Sequence, residues 1–530
     1  MLRVKSQKQM AIMPKKLSVL AAALLICACN NGARKIGLGD FDQNQLALQP
    51  GGRLAAVLVK GQISNLSPTQ ALGQRANQTK SQNIQVASAP APFSSLSAKC
   101  DGAQGYVIMI AAFEDQTRYR GVNQPISGRV QGRGTGVYGG LYGKPFAVPC
   151  VSEKSQITFS PTGALLWVTL PKLNQVAALP VGPTGTIDGT GMNLFDAGIE
   201  PTEIATIYTH DSKEIVAVAN QNSISLFVSE AYDASFQSPY PTSFGEVPFG
   251  QNSPQALAFS PSGEYLFATT KRFAGGFNTT GGDFEVYHVP TLLTDIQPPG
   301  YSLTQRNRAS RGYIAGSPRA FSSDGGPADG GFGSQPYGGG PMTKLAITKD
   351  LVVGLSPSGA YHFRTPNTGD MDTRLSDILG EANYFGRQGG FRGGFGNLAT
   401  RFKDIVIHPF SKFVFALTDD SLVTFVTDDR YSLGTGRAKN LPSKAVALAM
   451  DPGPNPSFMA IATVDQIFLA TLRQLGYSLN TQFDGFPVPT GTSPVDVTIK
   501  PNVQPRTPLF ANDSSDQTKE TDKTSTQASY

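Results

Sequence analysis

An all-β fold is predicted by three observations. The first is composition: 530 residues include 57 glycines and 38 prolines, while charged residues reach only 16%. An average soluble domain carries about 25% charged residues, so long charged amphipathic helices do not dominate this chain. The second is a recurring unit of an apolar strand, a turn centred on Ser-Pro-x-Gly, and a second apolar strand. The third is the spacing of that unit, 40–50 residues over much of the chain. Strand–turn–strand units at such a period are the mark of a β-propeller. With 40% apolar residues there is enough material for a large core.

Residues 1–28 are set aside from the fold. Arg3, Lys5, Lys8, Lys15 and Lys16 form a basic leader without an acidic residue, and Leu17 to Ile26 follow as a ten-residue apolar stretch. That stretch is too short to span a bilayer and suits the apolar region of a signal peptide. It ends in Ile26-Cys27-Ala28-Cys29, which resembles the bacterial lipobox, although Cys27 departs from the usual small or aliphatic residue. The resemblance implies a lipoprotein with Cys29 as the lipidated residue. Asn30 in place of Asp implies the outer membrane, facing either the periplasm or the cell surface. An ordinary secretory signal is the plainer alternative. Removing the five basic residues takes the formal net charge from +5 to about zero. No basic field then remains to attract nucleic acid.

Residues 29–97 are rich in Gln, Asn, Ser and Ala and read as a tether from the membrane, with a weak strand signal at Leu54–Lys60. Residues 98–510 form the propeller body. Its units read ITFSPTGALLWVT at 157–169, IATIYTHDSKEIVAVA at 204–219 and ALAFSPSGEYLFAT at 256–269. They continue with LAITKDLVVGLSPSGAYHFR at 345–364, IVIHPFSKFVFALT at 405–418, VALAMDPGPNPSFMAIAT at 446–463 and VDVTIKPN at 495–502. In the fourth, Lys349-Asp350 is the expected first turn and Ser358-Gly359 the second. Leu509-Phe510 is a candidate returning strand for the last. Tyr106–Phe113 is a further apolar run, expected to close the ring with the C-terminal repeat. The expectation is seven blades, within a range of six to eight, with Gly-rich loop insertions. Residues 511–530 are polar, without apolar periodicity, and read as a disordered tail.

The pattern resembles the YVTN-repeat and lactonase-like family of seven-bladed propellers, carried by Phe259-Ser260-Pro261-Ser262-Gly263-Glu264-Tyr265-Leu266 and by Ile407-His408-Pro409. The resemblance covers roughly 105–510 and implies the fold. Some members of that family open lactones and many are binding or envelope proteins. No catalytic motif of the family can be placed on this chain. The long Gly-rich insertions and the lipid anchor are departures from its pattern.

With Cys27 in the leader and Cys29 read as lipidated, only Cys100 and Cys150 remain. In an oxidising compartment a disulfide is expected, with two buried free thiols as the alternative. Metal binding has no support from a Cys-x-x-Cys or a nearby histidine. The four histidines, His210, His288, His362 and His408, are scattered, and His408 occupies the turn position held elsewhere by Ser160 and Ser260. Structural roles are expected for all four. Asp419-Asp420, beside Ser421, reads as a hairpin turn, and Asp428-Asp429 is the other acid pair. No nucleophile elbow or EF-hand loop appears. A single tryptophan, Trp167, argues against a quinone-dependent propeller enzyme. No catalytic residue, metal or cofactor is assigned.

The unusual feature is a set of Gly-rich, aromatic-bearing loops: Gly128–Gly143, Lys271–Gly282, Arg311–Gly340 and Tyr384–Asn397. All four include arginine, and aromatic and arginine side chains are the usual anchors of protein interfaces. If these loops share one face, Phe332, Tyr337, Arg387, Phe391, Arg392 and Phe395 are the expected partner-binding anchors. Plain flexible connections are the alternative. The leading functional expectation is a non-enzymatic envelope lipoprotein acting as an interaction platform for another envelope protein, with no nucleic-acid partner. A lactonase-like hydrolase acting in the channel is the second reading, and cell-wall or carbohydrate binding the third.

Overall fold

The computed structural model describes residues between 53 and 501. It is interrupted at 64–99, 115–136, 230–241, 296–307, 313–342, 365–381, 386–401, 427–436, 472–483 and several shorter stretches. In chain order the strands begin with β1 (Arg53–Gly61), β2 (Gln104–Glu114), β3 (Val137–Leu141) and β4 (Phe146–Pro149). Then come β5 (Ile157–Phe159), β6 (Leu165–Leu170), β7 (Gln175–Pro180) and β8 (Asn193–Asp196). Next are β9 (Glu203–Tyr208), β10 (Glu214–Ala219), β11 (Ser223–Ser229) and β12 (Thr242–Pro248). They are followed by β13 (Asn252–Phe259), β14 (Tyr265–Arg272), β15 (Gly282–His288) and β16 (Arg308–Gly312), with a short helix α1 (Val289–Asp295) after β15. The chain continues with β17 (Lys344–Ile347), β18 (Leu351–Ser356), β19 (Gly359–Arg364) and β20 (Ala382–Phe385). After these come β21 (Asp404–Ile407), β22 (Phe413–Leu417), β23 (Ser421–Val426) and β24 (Arg437–Asn440). The last are β25 (Ala445–Met450), β26 (Phe458–Thr463), β27 (Gln466–Thr471), β28 (Asp484–Pro487) and β29 (Thr492–Ile499).

Among the described residues these strands form six four-stranded antiparallel sheets and one five-stranded sheet. Strands β5, β9, β13, β17, β21, β25 and β29 each pack against the next, and β29 packs against β5. The sheets therefore stand around a closed ring with these strands innermost. The all-β, propeller arrangement anticipated from the repeat is present.

The Ser-Pro-x-Gly signature makes the hairpins between first and second strands. Between β5 and β6, Ser160 Oγ accepts the Leu165 N–H at 3.1 Å, and Gly163 N–H reaches Ser160 O at 2.8 Å. Between β13 and β14, Ser260 Oγ accepts the Tyr265 N–H at 3.0 Å, and Gly263 N–H reaches Ser260 O at 2.9 Å. Gly163 and Gly263 have φ of +69° and +75°, where glycine pays no Cβ penalty. Proline pre-sets the residue after the serine. In the fourth unit, Ile347 pairs with Val352, which leaves Lys349-Asp350 in the first turn as expected; Ser356 pairs with Gly359, so Gly359 opens a strand and the second turn lies one residue earlier than Ser358-Gly359.

Second strands such as β6, β10 and β26 are buried at every residue, because each lies between two neighbouring sheets and faces apolar side chains on both sides. At one seam Trp167 and Val176 pack against Val216, Val218 and Phe227 of the next sheet. Trp167, Phe195 and Phe227 lie with ring centroids 5.7–5.9 Å apart.

The five-stranded sheet corrects the expected boundary at residue 98. Arg53–Gly61 lies within the expected tether, yet as β1 it pairs with β2 on one side and β29 on the other. Five of its residues, Ala55 to Val59, are buried, and alternate ones enter the cores of the two adjoining sheets. Burial of the run Leu-Ala-Ala-Val-Leu-Val outweighs its polar flanks. The run Tyr106–Phe113 is a strand of this sheet, but β1 stands between it and the C-terminal repeat. The partner of β29 is thus β1; Leu509-Phe510 lies outside the described residues, as do the leader and the tail.

Candidate site at the channel mouth

Antiparallel order puts the start of each innermost strand at one face and the Ser-Pro-x-Gly turns at the other. At the first face a cavity of about 550 Å³ opens, lined among others by Gln156, Glu203, Gln255, Lys344, Asp404 and Asp496. Glu203, Lys344 and Asp404 are the first residues of β9, β17 and β21. Chain topology brings them together from separate sheets.

Lys344 Nζ donates to Glu203 Oε2 at 2.9 Å, and Gln156 Nε2 donates to the same oxygen at 2.6 Å. Asp404 Oδ1 accepts its own following amide, Ile405 N–H, at 2.9 Å, while Oδ2 accepts Leu448 N–H of β25 at 2.8 Å. Asp496 repeats the device: Oδ1 takes Val497 N–H and Oδ2 takes Ile157 N–H of β5, both at 2.9 Å. At the rim, Lys403 Nζ donates to Ala445 O at 2.8 Å and pairs with Asp419 at 2.6 Å.

The electrostatics follow from placing three carboxyls around one ammonium. Burial raises the Glu203 and Asp404 pKa values, with Lys344 as the main opposing influence on both. Burial pushes Asp496 up to about 7, against the pull of Lys344 and with a further push from Asp404. Burial alone would lower Lys344, but Glu203, Asp404 and Asp496 outweigh it and raise its pKa. The ammonium therefore stays charged, while burial favours the protonated form of the carboxyls around it. Chemically this is an internal counter-ion with hydrogen-bonding walls. Both oxygens of Asp404 and Asp496 are already engaged by backbone amides.

These residues carry no motif, and motif reading missed them. A signal was present: a charged residue immediately before the mainly apolar end of an inner strand, as in Lys344-Leu-Ala-Ile, Asp404-Ile-Val-Ile and Asp496-Val-Thr-Ile.

Cys100 and Cys150 are joined as a disulfide, tying the start of β2 to the end of β4. His408 N–H donates to Phe413 O at 3.0 Å, the same bond that Ser160 makes in its turn. His288 ends β15 and its ring lies tilted against Tyr265, with centroids 5.7 Å apart; burial lowers the pKa of both histidines. His362 sits in β19, and among the described residues no histidine lines the cavity. His210 lies outside the described residues. Asp419 and Asp420 form the turn between β22 and β23, where Asp420 Oδ1 accepts the hydroxyls of Thr418 and Ser421 at 3.2 and 3.0 Å. Asp428-Asp429 lies outside the described residues. So do Cys29 and the six anchors Phe332, Tyr337, Arg387, Phe391, Arg392 and Phe395.

The roots of the Gly-rich loops are described. Arg272 and Gly282, Gly312 and Lys344, and Phe385 and Asp404 all sit at strand ends on the cavity face. Three of the four loops therefore leave from that face, in adjoining sheets. The fourth does not: Glu114 and Val137 pair at the opposite face. Lys344 and Asp404 are the first strand residues after the Arg311–Gly340 and Tyr384–Asn397 loops.

No family model matches the chain, and no curated protein matches it. Among solved structures it is similar to the periplasmic gluconolactonase of Pseudomonas aeruginosa, at 15% identity over 84% of this chain and 99% of that one, with a TM-score of 0.42. It is similar to a putative 6-phosphogluconolactonase of Bacteroides fragilis at 11% identity, covering 84% and 98%, with a TM-score of 0.45. It is also similar to hydrazine synthase of Kuenenia stuttgartiensis at 13% identity, covering 60% and 76%, with a TM-score of 0.35.

Proposed function

We propose that this chain is an outer-membrane lipoprotein, anchored through Cys29, whose propeller is a non-enzymatic platform for another envelope protein. The five-stranded sheet is read as the seventh blade. The observation that carries the platform reading is the rooting of three Gly-rich loops on the cavity face, in adjoining sheets. Phe332, Tyr337, Arg387, Phe391, Arg392 and Phe395 would then reach a partner from one side. Aromatic and arginine anchors supply most of the energy of such interfaces, and glycine lets their loops adapt at an entropic cost. The partner would be a component of an assembly machine or a surface appendage. In support, the channel-mouth carboxylates Asp404 and Asp496 are engaged in holding strands together.

The test is crosslinked capture from the native envelope, comparing the wild type with a folded variant lacking residues 384–397. A partner captured by the wild type and lost from the deletion supports a loop-mediated platform. Capture of no partner by either protein overturns it.

The polar cavity of about 550 Å³ favours a second reading, a hydrolase acting on a small lactone or ester. Turnover of a lactone and ester panel, abolished by Lys344→Met and Glu203→Gln but not by the loop deletion, would replace the platform with this activity. Binding of cell-wall sugars without turnover would favour the carbohydrate reading.

A further inference from the structure

Glu214 lies away from the channel mouth, at the seam between the β5–β8 and β9–β12 sheets. It opens β10, is only 7% exposed, and points across the seam toward the Ser160–Gly163 turn. Thr162 Oγ1 donates to its Oε2 at 3.4 Å, and the Ser160 and Thr162 hydroxyls lie 3.0 Å apart. The Trp167 indole faces the same carboxyl without closing a hydrogen bond. Among the described residues, Glu214 Oε1 and Trp167 Nε1 are both buried without a hydrogen-bond partner. On its own sheet, Glu214 stands opposite Tyr208 of β9 and Ser229 of β11, with Lys213 preceding it.

We propose that Glu214 is a proton-sensitive joint between these two sheets: protonated, it packs against the Ser160–Thr162 turn and Trp167; ionised, it loosens that seam. The physical reason is that a carboxylate buried without a counter-ion is costly, whereas a neutral carboxyl is tolerated by two hydroxyls and an indole. Burial holds this group near 7, and Thr162, Ser160 and Trp167 offset it only in part. The apolar packing of Leu165, Trp167, Val216 and Phe227 on the same seam carries the change into the core.

Trp167 is the sole tryptophan, so its emission reports on this seam alone. Excitation moves electron density away from the pyrrole ring, so a carboxylate forming beside Nε1 shifts emission to the red. The experiment is a titration of tryptophan emission in the full chain between pH 5 and 9. The expected result is one red-shifting transition with a midpoint near 7, absent in Glu214→Gln. Thr162→Val removes a hydroxyl that favours the ionised form, so its midpoint should move to higher pH. Hydrogen exchange at the Leu165 and Val216 amides should rise through the same transition in the wild type, beyond the intrinsic pH effect. A flat wild-type titration, an unmoved Thr162→Val midpoint, or a transition that persists in Glu214→Gln would each overturn the proposal.

Discussion

Asp496 Oδ2 accepts the Ile157 amide at 2.9 Å, so a carboxylate on the last described strand holds the first strand of the neighbouring sheet. Asp404 makes the equivalent bond to Leu448 at 2.8 Å. The same bracket thus joins neighbouring sheets at two places in the ring, each time from the channel side.

Removing the bracket should weaken the ring measurably. Asp496→Ala strands two amide donors, at about 1–3 kcal/mol for each that stays dry. A loss of about 3 kcal/mol in total is expected from urea midpoints at pH 8, where Asp496 is ionised and both its oxygens accept. Asp496→Asn keeps one acceptor oxygen and should lose about half as much. Equal losses in the two variants would show that the acceptor oxygens are not what matters.

Stability should fall as the solution is made more alkaline through the mildly acid range. Asp496 and Glu214 are raised from 3.8 and 4.5 to about 7 in the folded protein. Below the unfolded values both states are protonated, and between them and 7 only the folded state holds the proton. The folded protein therefore binds more protons in that window, and its stability declines as pH rises through it. Melting temperatures taken from pH 4 to 8 should show this decline. The double variant Asp496→Asn/Glu214→Gln should flatten it, and a profile that rises over the window would contradict the burial of these groups.

Lys344→Met should leave Glu203, Asp404 and Asp496 facing one another without the ammonium that lies among them. Breaking a partly buried pair on one side costs about 3 kcal/mol. The Lys344 side chain is 24% exposed, so the estimate is taken at the low end of that range. The deficit should be largest at pH 8 and shrink toward pH 5 as the carboxyls protonate. Adding Glu203→Gln should recover part of it. A deficit independent of pH would point to lost packing instead of lost charge.

Leu58 in β1 is fully buried. Leu58→Ala should cost about 2–5 kcal/mol, the range for a core leucine. A residue of a flexible tether would cost almost nothing, so the denaturation midpoint of this one variant separates the two descriptions of residues 53–61.

The disulfide closes a chain separation of 50 residues. Replacing Cys100 and Cys150 by serine should cost ~4 kcal/mol by loop entropy. Reductant should shift the denaturation midpoint of the wild type toward that of the double variant and leave the variant unmoved.

What the sequence makes legible follows from which interactions are local. Ser160-Pro161-Thr162-Gly163 and Ser260-Pro261-Ser262-Gly263 announce hairpins because all the geometry of a tight turn sits within a few residues. Cys100 and Cys150 are legible because they are the only cysteines after residue 29. Glu203, Lys344, Asp404 and Asp496 are not, because their meeting depends on strands from separate sheets converging on one axis. The strand at Arg53–Gly61 is weak in sequence for the same reason: its apolar faces gain their meaning only from β29 and β2. Glu214 reads as an ordinary polar strand residue, and only the position of the neighbouring turn makes it unusual.

The pairing of Val57 with Val497 has a consequence for the order of events during synthesis. A strand made near the start of the chain must wait for one made near its end. Until then β1 and β2 present an open, apolar edge of the kind that invites wrong partners. Non-local pairing of this kind also slows the final step of folding. A nascent or incompletely delivered chain would therefore need a holding chaperone until its last strand arrives, and a premature stop anywhere upstream of β29 would yield no closed ring at all.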